Sequence, residues 1–262
     1  MNFDNHHEQY TQWKAPRETP RKLVNAIDLM LKLNLRNLEV DGREHLKEIP
    51  QDKKVIVVTS HTSDLDIPIT IKTLGNDFDF AVTHESVQND ITKDPKAYLV
   101  NQLAGQENFM PIQYNIVDGK KVGAFNPDDY SSLKELVENG EKTVLIAAHN
   151  PVRNGDRPQP GYGAVYLSQI TQNSILLPVS IHLEKGGVVR KDARVEIGQP
   201  IELPKIEGIE NFSKIIKKRA DGQKLSAEDV QDFTRLKDLL KQQSEEVLKT
   251  LGIDSSNVEA NS

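Results

Sequence analysis

The chain predicts an α/β fold: a layered, largely parallel sheet flanked by helices, with an amphipathic helix at its N-terminal end and charged helices at its C-terminal end. Two observations lead there. Apolar runs rich in β-branched residues, VIVV at 55–58 and TVLIAA at 143–148, suit strands buried on both faces. Such strands alternate with segments of helical period, the pattern of βαβ units.

Each element has its own warrant. Residues 1–19 are polar and aperiodic and predict no order. A helix runs from about Pro20 to Leu35, with Thr19 as its cap, Pro20 in its first turn and Leu23, Ile27, Met30 or Leu31, and Leu35 at helical spacing. Leu38–Val40 is a short strand ending at the turn Asp41-Gly42. After the connector 43–53 comes the strand around Val55–Val58. Residues 66–75 form a helix that Pro68 forces to begin near that point. Phe78–Val82 is a strand, 94–104 a helix and Asn108–Ile112 a brief strand. Gly119–Pro127 is a loop carrying Lys120 and Lys121. Pro127 opens a helix that Gly140 stops. Thr143–Ala148 is a strand, His149–Gly161 a polar loop, Gly163–Thr171 a helix, and Ser174–His182 and Arg194–Ile197 strands. Beyond residue 204 the chain is charged and helical, with Ser226 and Asp229 marking a helix start. These elements divide into a tail and basic helix (1–36), an α/β domain (37–204) and a helical segment packed on that domain (205–262).

Composition narrows the function. The chain has 262 residues and a formal net charge of −6. Binding nucleic acid at large needs a basic surface to neutralise phosphates, so that class is set aside. There is no cysteine, which excludes disulfides, thiolate metal sites and a cysteine nucleophile. No apolar run is long enough to span a bilayer, and MNFDNHHEQYTQWK lacks a signal-type apolar core. The expected location is the cytoplasm. Between Lys14 and Arg36 six basic residues face two acidic ones. A basic amphipathic helix can lie on an anionic membrane surface, so residues 14–36 are a candidate for peripheral contact with the inner membrane face. The alternative is an ordinary helix packed on its domain.

The chemistry concentrates at VIVVTSHTSDLDIP. His61 follows a buried strand and Asp66 opens the next helix, and strand-end crevices of open α/β sheets are where ligands bind. A carboxylate beside an imidazole fixes its tautomer and stabilises its protonated form. Such a pair has no nucleophile of its own. It suits removal of a proton from a substrate hydroxyl, which then attacks an electrophile. The spacing alone is a weak signal: Asp64 can be a helix cap and His61 a strand-end histidine with no chemistry.

The stretch LEVDGREHLKEIPQDKKVIVVTSHTSDLDIP, residues 38–68, resembles the opening of the glycerolipid acyltransferase family, which includes the lysophosphatidic acid acyltransferases. The order is the same: short strand, glycine turn, amphipathic connector, buried strand, then His-x4-Asp. Further on, VLIAAHNPVRNGDRPQPGYGAVYLSQITQNSILLPVSI is similar to the family's third and fourth blocks. Gly163 and Ala164 stand at the small residues opening a helix, and Pro178 at the proline of the last strand. RVEIGQPIELP, from Arg194, resembles the closing strand and turn. Together the blocks cover about residues 38–204. The resemblance implies acyl transfer from a thioester of coenzyme A or acyl carrier protein to a hydroxyl of a lysophospholipid or related acceptor. His61 is then the general base, oriented by Asp66, with backbone donors near the third block stabilising the oxyanion and no metal or resident cofactor.

The third and second blocks depart from the family. Where it has Phe-Pro-Glu-Gly-Thr-Arg, this chain has Ala147-Ala148-His149-Asn150-Pro151-Val152-Arg153. Where its second block ends in an arginine, this chain reads Phe109-Met110-Pro111-Ile112-Gln113-Tyr114. Guanidinium forks bind phosphate in bidentate fashion, so these changes bear on the acceptor. The remaining acceptor-binding candidates are His149, Asn150, Arg153 and Arg157, with Lys120 or Lys121 in support. His84 ends a strand as His61 does but has no evident partner. Two other readings stay open. One is a non-catalytic lipid- or acyl-binding member of the same fold. The other is a metal-dependent hydrolase using His61, Asp64, Asp66 and His84 or His149.

Overall fold

The computed structural model describes residues 21–61, 63, 65–75, 77–84, 109–111, 114–117, 120–123, 127–140, 143–148, 160–184 and 190–253. Helix α1 (Arg21–Asn34) leads directly into strand β1 (Leu35–Asp41). A 3₁₀ turn (Arg43–Glu48) precedes β2 (Lys54–Thr59), followed by α2 (Asp66–Leu74) and β3 (Phe80–His84). Strands β4 (Phe109–Pro111), β5 (Tyr114–Val117) and β6 (Lys120–Gly123) come next. Then follow α3 (Pro127–Glu138), β7 (Thr143–Ala147), α4 (Gly163–Ile170), β8 (Ser174–Glu184) and β9 (Lys191–Ile197). Helices α5 (Ile209–Ala220) and α6 (Ala227–Thr250) end the described chain.

Seven strands form one sheet in the order β1-β9-β8-β2-β7-β3-β4. Every pairing is parallel except β8 with β9. The α/β expectation therefore holds. The central strands carry apolar side chains to both faces. Val57, Leu145, Leu177 and Val179 pack under α1 and α2. Ile56, Val58, Val144 and Leu176 pack under α3, α4 and the helices α5 and α6. The C-terminal helices share this second core through Phe212, Leu236, Leu240 and Leu248.

Several expectations need correction. Lys120 and Lys121 are not in a loop: they lie on β6, which pairs antiparallel with β5 as a hairpin. The letters Val117-Asp118-Gly119-Lys120 carried that signal, since Asp-Gly between strands favours a tight hairpin turn. Leu35 belongs to β1 rather than to the first helix. Phe78 precedes β3, which starts at Phe80. Helix α2 begins at Asp66, where the 66–75 reading placed it, with Pro68 inside its first turn. A proline in the first turn loses nothing, because the N–H it lacks would have no intrahelical partner there. The expected helix at 94–104 lies outside the described residues.

Candidate active site

The sheet makes a crevice where the sequence placed the chemistry. From β2 the chain passes through α2, on one face of the sheet; from β7 it passes towards α4, on the other. Adjacent parallel strands whose connections leave to opposite faces open a cleft at their carboxyl ends. The two strand tips are joined by a hydrogen bond from Ala148 N–H to Thr59 O (2.8 Å).

His61 sits at the β2 side of this cleft, one residue after Ser60, whose N–H donates to Val179 O (3.4 Å). Its ring is part-buried, with Nδ1 shielded from solvent. Asp66, the first residue of α2, is completely buried. Its Oδ2 accepts the Ser63 N–H (2.9 Å), while Ser63 Oγ accepts the Leu65 N–H (3.2 Å). Ser63 and Asp66 thus satisfy two N–H groups just ahead of α2, whose N-cap residue, Leu65, makes no side-chain cap bond. The letters S-x-x-D carried the signal for this turn. Asp64 lies outside the described residues.

A second set of bonds fixes the aspartate's height above the sheet. Thr70 Oγ1 donates to Asp66 O (2.9 Å) and lies 3.1 Å from Thr59 Oγ1. Because the Thr70 proton is committed to Asp66 O, the Thr59 hydroxyl is the donor between the two threonines. The last residue of β2 and the first turn of α2 are thereby locked together inside the core. Neither threonine was singled out in the sequence; a polar residue two before His61 and another four after Asp66 were the only hint.

On the β7 side, Gly161 N–H donates to Ala148 O (2.8 Å), and a side chain on Gly161 would press on that same oxygen at 3.3 Å. Gly163 is equally confined: a Cβ there would run into the Tyr130 hydroxyl. These glycines let the first turn of α4 settle on the tip of β7. A pocket of about 320 Å³ lies elsewhere, lined by Lys53, Lys54, Asp77 and Thr143 among others. Those residues lie at the starts of β2, β3 and β7, the opposite end of the sheet from His61.

No family model matches the chain, and no curated protein matches it. Among solved structures, it is similar to the 1-acyl-sn-glycerophosphate (LPA) acyltransferase PlsC from Thermotoga maritima. The identity is 16%, the TM-score 0.45, and the match covers 86% of this chain and 78% of that one. So remote a likeness carries no weight for chemistry, and the site rests on this chain's own residues. Of the sequence candidates, the structure brings His61 and Asp66 to the same end of β2. His149, Asn150, Arg153 and Arg157 fall outside the described residues, as do Gln113 and Lys14. Lys120 and Lys121 lie on the separate β5–β6 sheet. No cluster of three or more metal-ligating side chains occurs among the described residues.

Proposed function

We propose that the protein is an acyltransferase moving a fatty acyl group from a coenzyme A or carrier-protein thioester to the hydroxyl of a lysophospholipid or related acceptor. The observation that carries this reading is the placement of His61 and the buried Asp66 at the carboxyl end of a central strand, beside the switch between β2 and β7. The ordered blocks around that pair support it.

In this mechanism His61, whose Nδ1 is shielded from solvent, takes the acceptor hydroxyl proton. The acceptor oxygen forms a bond to the thioester carbon as the carbonyl π pair moves onto oxygen. Asp66 stabilises the imidazolium so formed. Collapse of the tetrahedral species breaks the carbon–sulfur bond. The departing thiolate receives the proton from His61, giving an ester and a free thiol. Arg153, His149, Asn150 and Arg157 bind the acceptor head group in this reading, and α1 rests on an anionic membrane surface.

The non-catalytic alternative has one observation in its favour: Asp66 Oδ2 already serves the helix entrance, a role that needs no chemistry. Thiol release from acyl-CoA across a panel of hydroxyl acceptors separates the two. The wild type is expected to release thiol with at least one lysophospholipid, and His61→Ala to be slower by on the order of 10²–10⁴-fold. Equal, background-level release by both proteins with every acceptor contradicts catalysis.

A further inference from the structure

Ser60 is a polar residue with no structural explanation. It is 3% exposed, and its Oγ is buried without a hydrogen-bond partner among the described residues. A buried hydroxyl left unsatisfied costs stability that an alanine would not. Side chains alternate along a strand, so Ser60 shares a face with Ile56 and Val58, the face covered by α4.

Its neighbours in the same row are small. The β2–β8 register that sets Thr59 opposite Val179 brings Ser60 to Ser180, and the Ala148 N–H bond to Thr59 O brings Ala148 to its other side. The row beneath is Pro178, Val58 and Ile146. Three small side chains thus stand above three bulky ones at the carboxyl rim of the sheet. Helix α4 joins β7 to β8, two parallel strands' carboxyl and amino ends, so its N-terminus lies at this same rim. The first-turn N–H groups of a helix lack intrahelical partners and favour negative charge. His61, one residue on, flanks the strand tip from the other side.

We propose that Ser60 is a further catalytic residue whose hydroxyl, together with the first turn of α4, receives the carbonyl oxygen of the acyl thioester. This rests on the acyl-transfer reading. As the acceptor oxygen bonds to carbon and the carbonyl π pair moves onto oxygen, Ser60 donates a hydrogen bond to that oxyanion. It keeps its proton throughout, and collapse returns the pair to the carbonyl and expels the thiolate.

The test compares Ser60→Ala with the wild type in turnover and thermal unfolding. It also compares His61→Ala with the double variant in infrared spectra of bound acyl-CoA labelled with carbon-13 at the thioester carbonyl. Loss of one oxyanion donor is expected to lower kcat by about 10²-fold or more, with the KM for donor little changed. Tm should stay or rise, because an unsatisfied hydroxyl has been removed. Ser60→Cys, isosteric with a weaker donor, should fall between. The labelled carbonyl band should shift to lower frequency on binding to His61→Ala and return towards its free position in the double variant. A Ser60→Ala enzyme within twofold of wild-type kcat, or a carbonyl band indifferent to Ser60, overturns the assignment while leaving acyl transfer standing. A bound, Ser60-dependent carbonyl shift in a protein that never transfers keeps the assignment and sinks the transfer reading. No binding of acyl-CoA overturns both.

Discussion

At the scale of single residues, Asp66 has one task in the structure and a second in the proposed mechanism. Oδ2 holds the Ser63 N–H, and in the proposed mechanism the carboxylate also stabilises the His61 imidazolium. The tasks separate by substitution. Asp66→Asn keeps an acceptor oxygen for Ser63 but removes the charge; kcat should fall by on the order of 10²–10⁴-fold with Tm nearly unchanged. Asp66→Ala removes the acceptor as well and should cost about a further 1 kcal/mol of stability. An Asp66→Asn protein with full kcat and lowered Tm would leave the residue only its bond to Ser63. The sequence displayed both roles at once, since His61-x4-Asp66 and Ser63-x2-Asp66 share one aspartate. Letters cannot say that the carboxylate turns back to the Ser63 N–H. Ser60 was invisible for a related reason: a serine at a strand end is unremarkable until its burial and lack of a partner are known.

At the scale of elements, two packing devices carry predictions. Gly163→Ala drives a methyl group into the Tyr130 hydroxyl, and overpacking of this kind costs about 1–3 kcal/mol. Chemical denaturation should show a smaller loss in a Tyr130→Phe background, where the colliding oxygen is gone. Helix α6 starts with a capping box in which Ser226 Oγ accepts the Asp229 N–H (3.0 Å) and Asp229 Oδ2 accepts the Ser226 N–H (3.0 Å). Lys218 donates to Asp229 Oδ1 (2.7 Å). Chiefly that bond, with those from Ser226, lowers the Asp229 carboxyl from 3.8 to about 2. A pKa depressed by folding stabilises the native state above the unfolded value, and this contribution fades as pH falls through the folded one. The Tm difference between wild type and Asp229→Asn should therefore be full at pH 5–7, shrink below about pH 4 and vanish near pH 2. A difference that persists unchanged at pH 2 contradicts it. Ser226-x2-Asp229 was legible because the motif is local. The β5–β6 pairing was also legible, in the Asp-Gly letters between the two strands, but the lysines beside them read as a loop.

At the scale of the whole molecule, the alternation of strands and helices announced the layered sheet, whereas the strand order could not be read. Order depends on which faces the crossovers cover, and that is decided by long-range packing. The crevice between β2 and β7 exists only because α2 and α4 take opposite faces, so the site's position became definite only with the fold. The first helix resolves similarly. Ile27 and Leu31 are buried against the sheet, as a packed helix requires. Val24, Leu29 and Leu33 are 37%, 49% and 60% exposed, three of the four large exposed apolar residues among those described. No described helix is long and apolar enough to cross a membrane. In the proposed function, the exposed side of this helix is what rests on an anionic surface. Leu29→Ser/Leu33→Ser should reduce co-sedimentation with anionic vesicles while changing stability by no more than about 0.5 kcal/mol. Deleting the helix would be a poor test, since it also strips the core. Unchanged sedimentation would remove α1 from the membrane contact.

The central claim is that His61 and Asp66 drive acyl transfer to a lipid hydroxyl. Its most direct test is mass spectrometry of lysophospholipid acceptors after incubation with acyl-CoA and the full-length protein. The account predicts an acceptor heavier by one acyl group with the wild type, and product falling to background with His61→Ala and Asp66→Asn. Acylated product formed equally well by His61→Ala would contradict it.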